Sequence, residues 1–357
     1  MKNKKKKVIV ISLIVFLSIV ELCVIAGICI LVYINKMYSK TNYEEEAAVV
    51  TSIDYEEEKE MDEMYKDVTL TPPKESKSDK DGEDDEETEA ETEAVSDQAT
   101  VDSILLIGVD RRERNWNGNS DTMMLATINY DQKTVYVTSF LRDLYADIDG
   151  IGVRRLNHAY AVGGGPLCTS TITKNYGVRI DNYVSIDFMD FVRIVDRLGG
   201  VDVEITAAEA KWVNSYLEEI NKIQGRPKNT DSIPLADGTY HLTGSSALAY
   251  CRIRYIGYDF ERTHRQRIVL MKCIDKVKQM SIKELDSFLN DVMPYFSHNI
   301  DAQKVSRLIS KLPSILNFQF VEMRVPEDGE YNIQSEILVP NDIQALRYKL
   351  QSTLYSK

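Results

Sequence analysis

The chain sorts its apolar and charged residues into blocks, and that division limits what can fold. Val8 to Ile34 is a nearly unbroken apolar run whose only charged residue is Glu21, and it exceeds the ~20 residues needed to span a bilayer. The lysine-rich Met1-Lys-Asn-Lys-Lys-Lys-Lys precedes it. Basic residues on that side predict a cytoplasmic tip over 1–7, a retained transmembrane helix over 8–34 and the remainder outside the cell. A cleaved signal peptide is the alternative, but the run is longer than a signal core and no small-x-small site follows it. A mid-span acid costs ~2.5–3.5 kcal/mol on insertion scales; a partner helix and plain tolerance account equally for Glu21.

Thr41 to Thr100 holds 23 Asp+Glu and 5 Lys. Runs such as Glu83-Asp-Asp-Glu-Glu repel one another and lack apolar partners, so 35–100 is expected to be an acidic, disordered extracellular linker acting as a spacer. Tyr43 to Tyr65 keeps enough apolar periodicity for a helix continuing the anchor. The whole chain carries −13, residues 41–100 carry −18 and residues 101–357 carry −1. The acidity is therefore a property of the linker, not of the outer domain.

Residues 101–357 suffice for one substantial α/β domain. Strand-like runs occur at Ser103–Asp110, Thr122–Ile128, Thr134–Phe140, Tyr183–Asp187, Val201–Ile205 and Gln319–Met323. Helix-like segments occur at Leu167–Tyr176, Asp187–Leu198, Ala207–Ile223, Ser245–Tyr250, Arg262–Met280, Ser281–Met293, Ala302–Leu312 and Asp342–Leu354. Gly199-Gly200 is a helix stop before a strand. The expected architecture is a central mixed β-sheet flanked by helices.

The densest chemistry lies in Ala247–Gln266, which packs four arginines and a glutamine beside an apolar run. Arg252 and Arg254 are two apart, so on a strand they share a face. Arg262 and Gln266 are four apart, so on a helix they stack on one face. Guanidinium forks match phosphate oxygens in pairs, which suggests a site for a pyrophosphate; surface salt bridges with Asp259 and Glu261 are the bland alternative. Three neighbouring strands also bring Asp110, Asp121 and Arg142 to their ends or connecting loops, where ligands of α/β sheets sit. Either aspartate alone reads as a turn cap. Together with the arginines, the two carboxylates read as the protein's share of a Mg²⁺ site completed by water and phosphate oxygens.

Several blocks then fall in a recognisable order: Ile104-Leu-Leu-Ile-Gly-Val-Asp-Arg-Arg, Ser120-Asp-Thr-Met-Met-Leu, Leu141-Arg-Asp, Leu156-Asn-His-Ala-Tyr-Ala with Gly163-Gly-Gly, Leu198-Gly-Gly-Val-Asp, and Tyr250 to Gln266. The series, from about Val101 to Ser281, resembles the LytR–CpsA–Psr proteins of bacterial cell envelopes. The resemblance implies a membrane-anchored phosphotransferase with its catalytic domain over 101–357 and core motifs over 101–281. Such an enzyme moves a glycopolymer phosphate (teichoic acid, capsule or another wall glycan) from a polyprenyl-pyrophosphate carrier to a peptidoglycan sugar hydroxyl. It implies Mg²⁺, with Mn²⁺ possible, on Asp110 and Asp121. It implies a pyrophosphate clamp of Arg112, Arg142, Arg252, Arg254, Arg262 and Gln266. Arg142, Asp143, Arg252 and Arg254 would be the catalytic set, with Asp143 orienting an arginine or acting as base. The partners expected are the lipid-linked glycopolymer, peptidoglycan and the membrane; none is nucleic acid.

Two positions depart from the family pattern. Asn119 stands where an arginine usually precedes Ser-Asp, bringing hydrogen bonds without charge; Arg111 or Arg114 could substitute. Phe140-Leu141 replaces a common proline before Arg142-Asp143, which alters loop stiffness more than chemistry. The helix over Phe188–Leu198 is a candidate wall for a prenyl slot, although its apolar face reads as ordinary core. Cys168, Cys251 and Cys273 are expected as buried thiols, with a Cys168–Cys273 bridge as the alternative. No histidine spacing suits a metal, and His158 reads as a packing residue. A carrier hydrolase would use the same residues with water as acceptor. A non-catalytic carrier-binding regulator is the third reading, which the retained aspartates and arginines disfavour.

Overall fold

The computed structural model describes residues 33–44, 99–111 and 117–357. The expected tip over 1–7 and most of the expected span over 8–34 lie outside the described residues, as do 45–98 of the expected linker and Arg112. Among the described residues no helix is long and apolar enough to cross a membrane.

A seven-stranded mixed sheet organises the domain. Its strands are β1 (Asn42–Tyr43), β2 (Val101–Asp110), β3 (Asn119–Asn129), β4 (Thr134–Phe140), β7 (Asn182–Asp187), β10 (Ser297–His298) and β11 (Gln319–Val325), in the spatial order β1-β10-β7-β2-β3-β4-β11. The meander from β2 through β4 is antiparallel, while β7 joins β2 and β11 joins β4 in parallel. Three two-stranded pairs sit around it: β5 (Tyr145–Ile148) with β6 (Gly152–Arg155), β8 (Val201–Ile205) with β9 (Gly238–Leu242), and β12 (Tyr331–Gln334) with β13 (Ile337–Pro340).

The helices are α1 (His158–Tyr176), α2 (Phe188–Arg197), α3 (Ala207–Ile223), α4 (Gly244–Cys251), α5 (Tyr258–Gln279), α6 (Ile282–Val292), α7 (Ala302–Ile315) and α8 (Ile343–Leu354). Six of them, all but α1 and α5, start at short polar side chains that accept a first-turn amide. Asp187, Thr206, Thr243, Ser281, Asp301 and Asp342 each do so, and Thr206 and Ser281 complete reciprocal boxes with Glu209 and Glu284. The helix expected over Leu167–Tyr176 starts earlier, at His158, and bends where Gly163 and Gly164 leave helical angles. At Gly165 any β-carbon would fall inside the Tyr183 ring, so glycine lets α1 press onto β7.

Alternation along the strands divides the core. Leu105, Ile107 and Leu125 point to the side covered by α1 and α8. Leu106, Met124, Val184 and Ile186 point to the other side, toward α2, α4 and α5. A further cluster built on α2, α3, α4 and the β8–β9 hairpin backs those helices.

Two expectations change. Arg252 and Arg254 are not on a strand: Arg252 caps α4, and Arg254 lies in the turn before α5. Ile253 between them is fully buried, so in–out alternation arises from a turn anchored by one apolar side chain. The second change concerns residues 35–44, expected within the linker. Residues 33–38 are helical and β1 pairs with β10, so this stretch is part of the folded domain. Backbone pairing and Tyr183 Oη donating to Glu44 Oε2 at 2.7 Å hold it despite its polar composition. Cys168, Cys251 and Cys273 are free thiols; burial pushes Cys168 and Cys273 up to about 12.

Candidate active site

The ends of β2, β3 and β4 converge on one edge of the sheet because β3 runs antiparallel to both neighbours. Asp110 ends β2 opposite Asn119, and Asp121 is the extra residue where the β2–β3 register shifts, between Ser120 opposite Val109 and Thr122 opposite Gly108, a bulge that leaves it facing the same pocket as Asn119. Arg142 lies just past β4. With Asn157, Tyr216, Arg252 and Arg254 they line a polar pocket of about 370 Å³.

Asp121 is the hub. Its Oδ1 is 3.0 Å from Arg142 Nη1, its Oδ2 is 2.9 Å from Arg254 Nη2, and Arg262 Nη1 lies 3.6 Å away. Arg262 Nη2 also donates to the Asp121 carbonyl at 3.2 Å. Burial pushes the Asp121 carboxyl up, but Arg262, Arg254 and Arg142 outweigh it and hold the group below its ordinary value. Behind this cluster, Asp259 lies 2.9 Å from Arg262 and 3.4 Å from Arg142. Burial raises its carboxyl pKa despite both arginines. Asp143 stands 3.5 Å from both Arg142 Nε and Arg155 Nη1, a position that orients guanidinium groups.

Arg252 is held differently. Its guanidinium stacks over the rings of Phe188 and Tyr216, at 5.3 Å from each, and its Nη1 is 3.3 Å from Glu219. It also borders a second cavity, of about 350 Å³, whose lining surface is mostly apolar. This slot runs between the sheet face and α2, α4 and α5, walled by residues such as Leu106, Met124, Phe188, Phe191, Ile194 and Leu270. The helix over Phe188–Leu198, named from sequence as a candidate wall of a prenyl slot but favoured there as ordinary core, is a cavity wall. Asp121 and Arg252 line both cavities, so the slot and the charged pocket adjoin at these two side chains.

Arg262 and Gln266 do share a face of α5, but both line the slot, not the polar pocket. Arg262 is fully buried, and its Nε has no hydrogen-bond partner; neither does Gln266 Oε1. Gln266 Nε2 donates to the Cys251 carbonyl at 3.5 Å. An orphaned arginine donor at the head of the slot suits an anionic oxygen. Arg265, the remaining arginine of the block, turns away to Glu209 at 2.8 Å.

Among the described residues no group of three or more His, Cys, Asp or Glu is gathered as for a metal. The donor chemistry nonetheless fits a hard cation that draws most of its ligands from phosphate and water. Asp110 and Asp121 face one pocket, and Asp121 is held ionised with lone pairs beyond those its arginines use. Sequence reasoning missed Asn157, Tyr216 and Arg155. It named Asp259 only as a salt-bridge partner of the arginines, and the structure pairs it with Arg262, three residues on along the same helix.

A pocket of arginines and carboxylates adjoining an apolar slot has the chemistry to suit an amphiphile with an anionic head. Residues 67–352 match the LytR_cpsA_psr family, and the chain belongs to it. The chain is 30% identical to the polyisoprenyl-teichoic acid–peptidoglycan teichoic acid transferase TagT of Bacillus subtilis, across 71% of this chain and 76% of TagT. It is 36% identical to the TagU transferase of Bacillus cereus, across 56% of this chain and 59% of that protein; it thus spans little more than half of that relative. Among solved structures it is similar to the LytR-CPS2A-psr family protein YwtF (TagT) with bound octaprenyl pyrophosphate lipid, with a TM-score of 0.52 and 26% identity over 72% of this chain and 91% of that one.

Proposed function

We propose that this chain is a phosphotransferase that moves a glycopolymer phosphate from a polyprenyl-pyrophosphate carrier to a sugar hydroxyl of peptidoglycan. The carrying observation is the junction of the two cavities at Asp121 and Arg252. A prenyl tail in the slot and a pyrophosphate in the pocket satisfy the apolar walls and the guanidinium groups together. The family relatives act in that chemistry by name. The expected span over 8–34 would place the domain on the outer side of the membrane, next to its lipid substrate.

Phosphoryl transfer is mainly positioning and charge stabilisation. Arg252, Arg254 and Arg142 would hold the pyrophosphate oxygens, and Arg262 would add its free Nε at the slot. The acceptor hydroxyl oxygen forms a bond to the phosphorus next to the glycopolymer as the bond to the bridging oxygen breaks. Polyprenyl phosphate leaves with that electron pair, and the hydroxyl proton is released to solvent. Asp143 and Asp259 hold Arg142 in place. Asp110 and Asp121 would hold Mg²⁺ or Mn²⁺, which would supply further neutralisation of the phosphate charge.

The test incubates the full chain in detergent with a short-chain polyprenyl-pyrophosphate disaccharide and follows polyprenyl phosphate release. Release is expected with Mg²⁺, to be lost with EDTA, and to be lost in Arg252→Ala. Product analysis with and without peptidoglycan separates transfer from hydrolysis. Binding of the lipid without release under any of these conditions would overturn the catalytic reading.

A further inference from the structure

The chain leaves the expected membrane span already fastened to the domain. Ile34, the last residue of the apolar run, is buried, as is Met37 one turn on. Asn290 of α6 donates from Nδ2 to Tyr33 Oη at 3.0 Å, and its Oδ1 accepts from Lys40 Nζ at 2.8 Å. Asn42 then bonds twice to the turn after α6: its amide to the Phe296 carbonyl at 3.1 Å and its Nδ2 to the Pro294 carbonyl at 3.2 Å. The apolar run thus ends on α6 itself, with no spacer between them. A span that reaches Ile34 holds α6 and residues 293–296 within about one helical turn of the bilayer.

The same elements close one side of the apolar slot. Phe288, Leu289 and Val292 of α6 cluster with Ile194, Cys273 and Phe296, and those last three also line the slot. The slot crosses the sheet: its floor comes from β3, β2 and β7 in turn, and Phe296 directly precedes β10, the next strand. Three inter-strand steps separate Asp121 from Phe296, roughly 14 Å. A tail whose head is held at Asp121 and Arg252 therefore runs toward β10, and a longer tail emerges there. Each methylene that emerges into water costs ~0.8 kcal/mol, a cost removed where the tail passes straight into hydrocarbon. We infer that the bilayer lies against α6 and residues 293–296, and that the slot opens to it beside Phe296, so that the carrier's tail enters sideways from the membrane. The tail route rests on the carrier reading above, and the bilayer surface on the expected span over 8–34. The outer face of α6 suits that surface. Ile282 is 90% exposed, Leu289 on the same stripe is only partly buried, and Tyr33 at the end of the span is 38% exposed, where tyrosines concentrate at membrane surfaces.

The chain has two tryptophans, and Trp116→Phe with Trp212→Phe removes both. Single indoles are then placed by Ile282→Trp, Phe296→Trp and Ile333→Trp. Ile333 is the control: it is 68% exposed in the β12–β13 hairpin, which bridges to Leu144 just past β4, toward the other edge of the sheet. The full chain is reconstituted in phosphatidylcholine–phosphatidylglycerol vesicles with ordinary or brominated acyl chains. Bromine is expected to quench most of the Ile282→Trp emission and to leave that of Ile333→Trp unchanged. Ordinary vesicles next receive octaprenyl pyrophosphate, or geranyl pyrophosphate, whose tail is too short to cross from β3 to β10. Binding of each is followed independently by calorimetry. Octaprenyl pyrophosphate is expected to shift the Phe296→Trp emission, and bound geranyl pyrophosphate to leave it unchanged.

Quenching that is absent in Ile282→Trp, or equal in Ile282→Trp and Ile333→Trp, overturns the bilayer surface. A blue-shifted Ile282→Trp emission that bromine leaves untouched assigns the face to a second copy of this chain and overturns it too. Octaprenyl pyrophosphate that binds without a response in Phe296→Trp overturns the opening at that end. If neither lipid binds while Ile282→Trp is quenched, the carrier reading falls and takes the tail route with it, and the bilayer surface stands.

Discussion

The Arg262 side chain is 2% exposed and lies between the Asp121 and Asp259 carboxylates. It sits where two requirements meet. One is to keep Asp121 ionised at the pocket edge; the other is to close the head of an apolar slot. Asp121 also has Arg142 and Arg254, whereas Asp259 keeps only Arg142, at 3.4 Å, once Arg262 is gone. Removing one partner of a buried pair strands the other, at a cost of about 3–5 kcal/mol. Arg262→Met should therefore lower the unfolding free energy by that amount, and adding Asp259→Asn should recover part of it. Urea denaturation of both single variants and the double variant measures the coupling. Strict additivity would show that the two side chains do not depend on one another.

At the scale of elements, the docked N-terminal segment has a titratable joint. His298 in β10 is buried, touches the rings of Tyr38 and Tyr43, and accepts the Ile300 amide at Nδ1. Burial lowers its pKa below the ordinary 6.5, and the Glu44 charge offsets that only in part. A histidine depressed in the folded state is held neutral there. The stability it contributes is present above its ordinary value and declines as pH falls through it, because the unfolded chain takes up the proton first. Hydrogen exchange should report this at the Asn42 and Glu44 amides, which bond to Phe296 and His298 carbonyls at 3.1 and 2.8 Å. Their protection, corrected for intrinsic rates, is expected to drop between about pH 7.5 and 5.5, and in His298→Phe to become independent of pH. Unchanged wild-type protection across that range would remove the histidine from the joint. This joint also marks how far sequence reading reached. The long strands Val101–Asp110 and Thr134–Phe140 announced themselves by apolar content, and the helices by their capping side chains. A two-residue strand such as Asn42–Tyr43 carries no period at all, and it stands beside the most acidic part of the chain. Arg252 and Arg254 were found for the right faces but on the wrong element, since one buried Ile253 in a turn gives the alternation of a strand. The slot was legible only as a candidate wall over Phe188–Leu198, because an apolar helix face looks the same whether it packs on side chains or lines a cavity; Phe191 and Ile194 show this.

At the scale of the whole molecule, the acidic segment has a different place from the one its composition suggests. The chain is fixed to the sheet edge at Glu44 and again at Ala99, whose amide bonds to the Tyr355 carbonyl at 3.0 Å. Residues 45–98 therefore join two points on one domain, and any anchor preceding Tyr33 reaches the domain without them. That segment carries a net −17 and the remainder of the chain +4. Strand spacing and rise put its two ends roughly 25 Å apart, a gap that about twelve residues of linker can cross. Closure of a segment between fixed ends depends weakly on its length, so such a replacement should alter stability by only about 1 kcal/mol. Removing residues 1–44 instead deletes β1 and the Glu44 bond to Tyr183, and should cost more. Thermal melts of the two shortened chains compare these directly. A transition within a few degrees of the full chain is expected for the first, on the order of 2–4 °C per kcal/mol for a domain of this size, with a larger fall for the second. The reverse ranking would mean that 45–98 contributes to the core and that the docked N-terminal segment does not.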